Sequence, residues 1–287
     1  MKIINWDQSK IIKSLLIISL ILVGVFLDYN RNIDVASSHS SLINELNLEE
    51  NIEIIESEKK DVTGDQVEDK ILLTGIRADK NSVFFDHLTV VVRDGKKDEY
   101  LKATYKNFSG YEPKLMLKDF SGDQIADVMV KSRTGGSGGI VDHLIATFSE
   151  GESKVIFDSQ DNKGIEVTGQ FLPNFKAKLE FKNHNKQVTL DLSFNREKYI
   201  KNKIYNQQGL MIKRKLIRPY SYPFGKLEVI DYNRDGTYEL KGYQKVVGAY
   251  GADKISELKT IWRYEEEDWQ LEELQYSNYL LKYKPDF

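Results

Sequence analysis

The hydrophobic residues after position 48 come in short runs that alternate with polar residues, a pattern typical of β-strands. Three runs share a layout of strand, polar turn and strand, and they span residues 86–101, 142–157 and 256–271. A fourth run, residues 185–200, fits the same layout through the alternation of Val188, Leu190 and Leu192. The pattern therefore predicts four β-hairpins.

Aspartate-rich segments precede three of these hairpins at a nearly constant distance. The segments are DVTGDQVED at residues 61–69, DFSGDQIAD at 119–127 and DYNRDGTYE at 231–239. The hairpins begin 25, 23 and 25 residues after the segments begin. The first two segments start 58 residues apart, and the second and third start 112 apart, which is 2 × 56. A period of this length predicts a repeat architecture.

Each repeat consists of an aspartate loop, a strand and a hairpin, followed by a further strand, and the third repeat has no aspartate loop. We therefore predict an all-β fold: a β-propeller-like array of about four four-stranded repeats, preceded by one N-terminal transmembrane helix. A β-sandwich built from the same strands is the alternative.

The aspartate loops carry oxygen-bearing side chains at positions 1, 3, 5 and 9, a spacing that suits calcium. Calcium takes about six to eight oxygen ligands from a flexible loop. In the last loop Gly236 permits a sharp turn, and Thr237 offers its carbonyl group. The alternative is that these residues form ordinary turns by capping their own backbone. The predicted ligands of a structural Ca²⁺ are Asp231, Asn233, Asp235, Thr237, Glu239, Asp119, Ser121, Asp123, Asp127, Asp61, Thr63, Asp65 and Asp69.

The three loops, the strand that follows each of them and their period resemble the FG-GAP/VCBS repeats of integrin-α-like propellers, as found in exported proteins of Gram-positive bacteria. The resemblance covers residues 51–276. It implies a propeller whose loops hold calcium for structural reasons, with a ligand face made by other loops. The sequence departs from the family pattern at Gln66 and Gln124, which stand where a glycine is expected.

An uninterrupted apolar run, SLLIISLILVGVFL, occupies residues 14–27 and follows three lysines. We predict that residues 1–27 form a signal anchor that enters the membrane through residues 11–27. A polar stalk would then span residues 28–48, and an extracytoplasmic β-repeat domain would span residues 49–287. A cleaved signal peptide and a buried core helix are the alternatives.

Composition narrows the function classes. The chain has 287 residues, no cysteine and a net charge of −3, and residues 1–27 contribute +2, so residues 28–287 carry −5. An acidic domain is a poor electrostatic match for nucleic acid. The absence of cysteine excludes disulfides, thiolate metal sites and cysteine nucleophiles. We found no triad, zinc spacing or phosphate loop, and the glycine-rich residues 135–139 are interpreted as a flexible loop between strands that is able to bind a ligand.

We therefore expect a non-enzymatic, calcium-stabilised binding or scaffolding module at the outer face of the cell membrane, with a cell-surface protein or glycan as its partner. Two alternatives are an enzyme that processes envelope polymers and an ectodomain that senses calcium.

Overall fold

The computed structural model describes residues 51–136, 138–212 and 217–278. The chain divides into two compact units, Met1–Ile52 and Glu53–Phe287. The predicted anchor and stalk, residues 1–48, lie outside the described residues. Within the described residues no helix has the length and apolar character needed to cross a bilayer.

The described residues contain sixteen strands and one α-helix, so the all-β prediction is confirmed. The first eight strands are β1 (Ile52–Lys60), β2 (Asp69–Arg77), β3 (Phe84–Arg93), β4 (Tyr100–Ala103), β5 (Gly110–Lys118), β6 (Asp127–Arg133), β7 (Val141–Thr147) and β8 (Lys154–Phe157). The rest are β9 (Val167–Leu172), β10 (Lys176–Phe181), β11 (Lys186–Asp191), β12 (Tyr220–Ser221), β13 (Lys226–Ile230), β14 (Glu239–Val247), β15 (Lys254–Glu265) and β16 (Asp268–Asn278). The helix α1 is Arg196–Lys201.

Three of the four predicted hairpins are confirmed as β3–β4, β7–β8 and β15–β16. The fourth is wrong in its second half, because β11 is followed by a 3-10 turn and α1 instead of a returning strand. Leu192 and Tyr199 are both fully buried there. Helical spacing lets this segment place both side chains in the core, which explains the difference.

The strands form two antiparallel eight-stranded sheets, one of β1–β8 and one of β9–β16. Each sheet consists of two meanders joined by short contacts. We call β1–β4 the first meander, β5–β8 the second, β9–β11 the third and β13–β16 the fourth. β3 and β5 share only two residue pairs, and the two-residue strand β12 connects β9 to β14.

Three hydrophobic cores bring the meanders face to face. One core joins the first and second meanders, and another joins the third and fourth. The last core joins the second and fourth. On β6, Val128 and Val130 point into the first core, whereas Met129 points into the core shared with the fourth meander. The strand alternation therefore makes the second meander buried on both faces.

The predicted array of four four-stranded repeats is found only in part. Three meanders have four strands, but the third has three, and the sheets pair the meanders instead of leaving four separate blades. The packing order is first, second, fourth, third, whereas consecutive blades of a ring would follow chain order. Buried apolar residues on both faces of the second meander account for the pairing with the fourth.

Candidate functional site

The three aspartate loops are equivalent turns between the first and second strands of three meanders. They connect β1 to β2, β5 to β6 and β13 to β14. In the first loop Asp69 Oδ2 accepts the N–H groups of Val62 and Thr63 at 2.8 and 3.0 Å. Asp127 accepts the corresponding pair in the second loop at 2.7 and 2.8 Å. The ninth position of the motif thus closes each turn onto its own backbone.

The other loop carboxylates also hold backbone N–H groups. Asp61 accepts those of Gly64 and Gln66 at 2.7 and 2.8 Å, and Asp119 accepts the matching pair at 2.7 and 2.9 Å. The carboxylate at position 5 accepts the N–H of position 7 at 2.8 to 2.9 Å in every loop, and these acceptors are Asp65, Asp123 and Asp235. Capping of this kind explains the repeated spacing without any ion.

The third loop contains a cation of its own. The guanidinium of Arg263 on β15 donates to Glu239 at 2.8 Å and to Asp235 at 2.9 Å. Glu239 is fully buried, and its second oxygen accepts the Tyr232 N–H at 2.7 Å. The hydrogen bond from Arg263 lowers the pKa of the Asp235 carboxyl. An arginine therefore lies between two residues that the sequence predicts as calcium ligands.

The register of the sheets explains why only this loop has an arginine. Leu240 pairs with Trp262, so the next position sets Glu239 opposite Arg263. In the first meander Lys70 pairs with Arg93, so the next position sets Asp69 opposite Asp94, which is also buried. The residue opposite the ninth loop position is therefore cationic in the fourth meander and acidic in the first.

The first loop has buried oxygens without a partner. Among the described residues, the Thr63 hydroxyl and the Oδ2 atom of Asp65 are buried and make no hydrogen bond. The side chains at these positions were predicted as ligands, and a polar atom buried without a partner carries a desolvation cost. The described residues contain no group of three or more acidic or histidine side chains arranged to hold a metal.

The structure brings the three loops side by side. A Cβ on Gly64, whose φ is +82°, would lie 2.3 Å from Ile125 of the second loop. The backbone N–H of Tyr238 in the third loop donates to the carbonyl of Asp119 in the second at 2.8 Å. The equivalent turns therefore form one row at a single end of the meanders, which the sequence spacing alone did not predict.

A cleft of about 970 Å³ lies at the opposite ends of the same strands. The first meander contributes the end of β2 and the start of β3. The second contributes the start of β5, the end of β6 and the glycine-rich segment, and the fourth contributes the start of β13. The lining residues that carry a charge are Arg77, Lys114, Lys131, Arg133, Lys226 and Glu112.

Two lysines dominate the second meander's part of the cleft. Lys114 on β5 and Lys131 on β6 are direct cross-strand partners and are exposed. Directly opposite residues of an antiparallel pair have Cβ atoms about 4.5–5.5 Å apart, so their charges repel. The three other cations of the cleft have carboxylate partners: Arg77 pairs with Glu53 at 2.7 Å, Arg133 with Glu112 at 3.4 Å, and Lys226 with Glu228.

A neutral histidine lies next to this lysine pair. His143 is the cross-strand partner of Lys131 and is buried, with its Nδ1 atom 3.0 Å from the Asn162 side-chain oxygen. The Asn162 amide donates to the Val141 carbonyl at 3.0 Å, which orients its oxygen towards the imidazole. Burial lowers the pKa of His143 to about 4, and the charge of Lys131 adds to this effect.

Sequence reasoning missed both Arg263 and the cleft lysines. Arg263 stands in a hairpin where it resembles any exposed strand residue, and only its cross-strand register reveals the role. The lysine pair has a signal in principle, because Lys114 and Lys131 flank the second aspartate loop at similar distances along the chain. The glycine-rich loop, which the sequence singled out, lines the cleft through Gly135, Gly136 and Gly139.

These features define a class: an all-β chain of paired meanders with a row of aspartate turns at one end and a cationic cleft at the other. The uncharacterized protein YybI of Bacillus subtilis (strain 168) is 34% identical over 212 residues, which cover 74% of this chain and 79% of the relative. The family model of the YybI C-terminal domain matches residues 165–277, which contain the strands of the second sheet. The chain belongs to the YybI family. No solved structure matches it.

The resemblance to FG-GAP/VCBS repeats is wrong as a family assignment, because the family match is to YybI. The reason is physical. An aspartate at positions 1, 5 and 9 builds a turn that is held by its own backbone N–H groups, as the first two loops show. Unrelated β-meanders can use such a turn, so the motif does not identify a family.

Proposed function

We propose that this chain is a membrane-anchored, extracytoplasmic binding module whose cleft takes a ligand at the cell surface. One observation carries the proposal: the cleft of about 970 Å³ at the meeting of three meanders. Ligand sites are typically concave, with volumes of about 300–1,000 Å³, and combine apolar walls with a few polar groups. Here Val83, Phe85 and Ile140 supply apolar surface beside the cations.

The anchoring part of the proposal comes from the apolar residues 14–27 and the lysines before them. A single anchor of this kind would hold the cleft at the outer surface. A carboxylate pair about 5–9 Å apart would favour a glycosidase instead, and Glu112 is the single carboxylate among the described residues that line the cleft.

Binding through the cleft can be tested with one blocking variant. Val83 lines the cleft with 53% of its surface exposed, so Val83→Trp should fill space without disturbing the core. The full chain in a non-ionic detergent would be applied to arrays of neutral and charged envelope glycans and peptides. We expect retention on at least one class, lost in Val83→Trp and kept in Leu210→Trp, a control at an exposed position outside the cleft. Equal retention by both variants would refute the proposal.

Calcium stabilisation is proposed for the first loop. The unpaired Thr63 hydroxyl and Asp65 Oδ2 atom would gain a partner from a bound cation. Calcium should then raise the thermal midpoint of unfolding, and Asp65→Asn should remove the shift. Asp235→Asn is the matched change in the third loop, where Arg263 supplies the positive charge, and it should leave the calcium shift intact. An unchanged midpoint in calcium would refute this part.

A further inference from the structure

We infer that the cleft ligand carries oxyanion groups, of the phosphate or carboxylate kind, and that Lys114 and Lys131 bind them together. This inference rests on the proposed binding function and specifies the chemistry of the same site. It begins from a mismatch of charge: the chain as a whole carries −3, yet the cleft is lined by five cationic side chains and one carboxylate.

The position of the lysine pair makes its charge unusual. On the face shared by β5 and β6, Met116 and Met129 pair with each other and pack against the fourth meander. Two residues further along the same face, Lys114 and Lys131 form the equivalent pair. One face thus changes from buried and apolar to exposed and cationic at the point where it enters the cleft.

Like charges that face each other directly destabilise an antiparallel pair. A neighbouring carboxylate would usually relieve such a pair, but among the described residues neither Lys114 nor Lys131 forms an ion pair with an acidic side chain. Two carboxylates lie near the pair, but each has another partner: Glu112 on β5 forms an ion pair with Arg133, and Glu56 accepts the backbone N–H of Leu115 at 2.9 Å. An oxyanion bound between the two ammonium groups would supply the missing negative charge.

The surroundings strengthen anion binding. His143, which burial keeps neutral, occupies the position beside Lys131, so no carboxylate stands there to repel an anion. Arg133 lies two residues beyond Lys131 on the same face, and its partner Glu112 is 58% exposed. Exposed pairs of this kind are weak, so Arg133 can exchange Glu112 for a second oxyanion group. The arrangement therefore suits a ligand with at least two such groups.

The test is calorimetric titration of the full chain in non-ionic detergent with three probes: inorganic pyrophosphate, citrate and a neutral trisaccharide. We expect pyrophosphate or citrate to bind, with an affinity that falls as salt rises. Lys114→Gln and Lys131→Gln should each weaken binding by about tenfold, the scale of a lost hydrogen bond to a charged group. Lys186→Gln, on the outer strand β11, is the matched control and should bind as the unmodified chain does.

The outcomes separate the two proposals. Binding of pyrophosphate alone assigns a phosphate ligand, and binding of citrate alone assigns a carboxylate ligand. Binding of the trisaccharide alone, lost in Val83→Trp, would overturn the oxyanion inference and leave the cleft as a binding site. Anion binding that Lys186→Gln weakens as much as Lys131→Gln does would also overturn it, because general surface charge would then explain the affinity. Binding of none of the probes would overturn it as well, and the array experiment would then decide the binding function independently.

Discussion

Replacing Arg263 by methionine tests whether this arginine acts as the internal cation of the third loop. The substitution keeps an unbranched apolar stem but removes the guanidinium that contacts Glu239 and Asp235. Glu239 has a fully buried side chain, so it would lose its ionic partner inside the protein.

The structure gives a scale for this loss. Removing one partner of a buried ion pair costs about 3–5 kcal/mol, because the remaining charge is left without compensation. Arg263 retains 16% of its side-chain exposure, and Glu239 keeps the hydrogen bond from the Tyr232 N–H. Both facts favour the lower end of this energy range, so we expect Arg263→Met to lower the free energy of unfolding by about 3 kcal/mol.

Urea unfolding of residues 49–287, followed by tryptophan fluorescence, measures this change. Arg133→Met is the matched control, because the Arg133–Glu112 pair is exposed and such a pair is worth at most about 1 kcal/mol. The double variant Arg263→Met with Glu239→Gln should recover part of the loss, since the buried charge is then absent. Equal losses in Arg263→Met and Arg133→Met would refute the reasoning.

Three further predictions concern buried polar groups. Burial raises the pKa of Asp127 from 3.8 to about 6, so the contribution of this carboxyl to the free energy of unfolding is present below about pH 4 and is lost as pH rises through 6. Asp127→Asn should flatten that part of the curve of stability against pH, and an unchanged curve would contradict the prediction. The pH dependence that His143 contributes has the opposite sign, because burial lowers its pKa to about 4. Its contribution to stability is present above pH 6.5 and is lost as pH falls through 4. An NMR titration of His143 that gave a pKa near 6.5 would contradict this prediction. Trp269→Phe removes the indole N–H that donates to the buried Ile156 carbonyl, so unfolding should become easier by about 1–3 kcal/mol. Trp262→Phe, which breaks a bond to the Thr260 hydroxyl, is the control, because a hydroxyl can rotate to another partner whereas the Ile156 carbonyl is fixed in its strand; an equal loss would contradict this reasoning.

The strand pattern predicted local structure well. Alternating residues located three hairpins, and the equal spacing of the aspartate segments located three equivalent turns. Both features are local, since a strand alternates within a few residues and each loop aspartate caps N–H groups within seven residues of itself. The failure at residues 192–200 was also local in origin: Leu192 and Tyr199 need a helical turn to reach the same core, and alternation alone does not reveal this.

The sequence pattern did not predict which meanders pack against each other. Nothing in the repeat period indicates that the second meander packs against the fourth, because this depends on apolar residues such as Met129 and Leu240 meeting across about 110 positions of the chain. The same holds for the site. Arg263 reaches Glu239 only through the register of β14 and β15, and Lys114 meets Lys131 only through the register of β5 and β6.

The most direct test of the cleft is a crystal structure of the chain with tungstate, an electron-dense oxyanion that is located by its anomalous signal. We predict a tungstate ion between the ammonium groups of Lys114 and Lys131, lost in the crystal of Lys131→Gln. Tungstate bound only at other surface lysines, with the cleft empty, would contradict the assignment of the lysine pair as an oxyanion site.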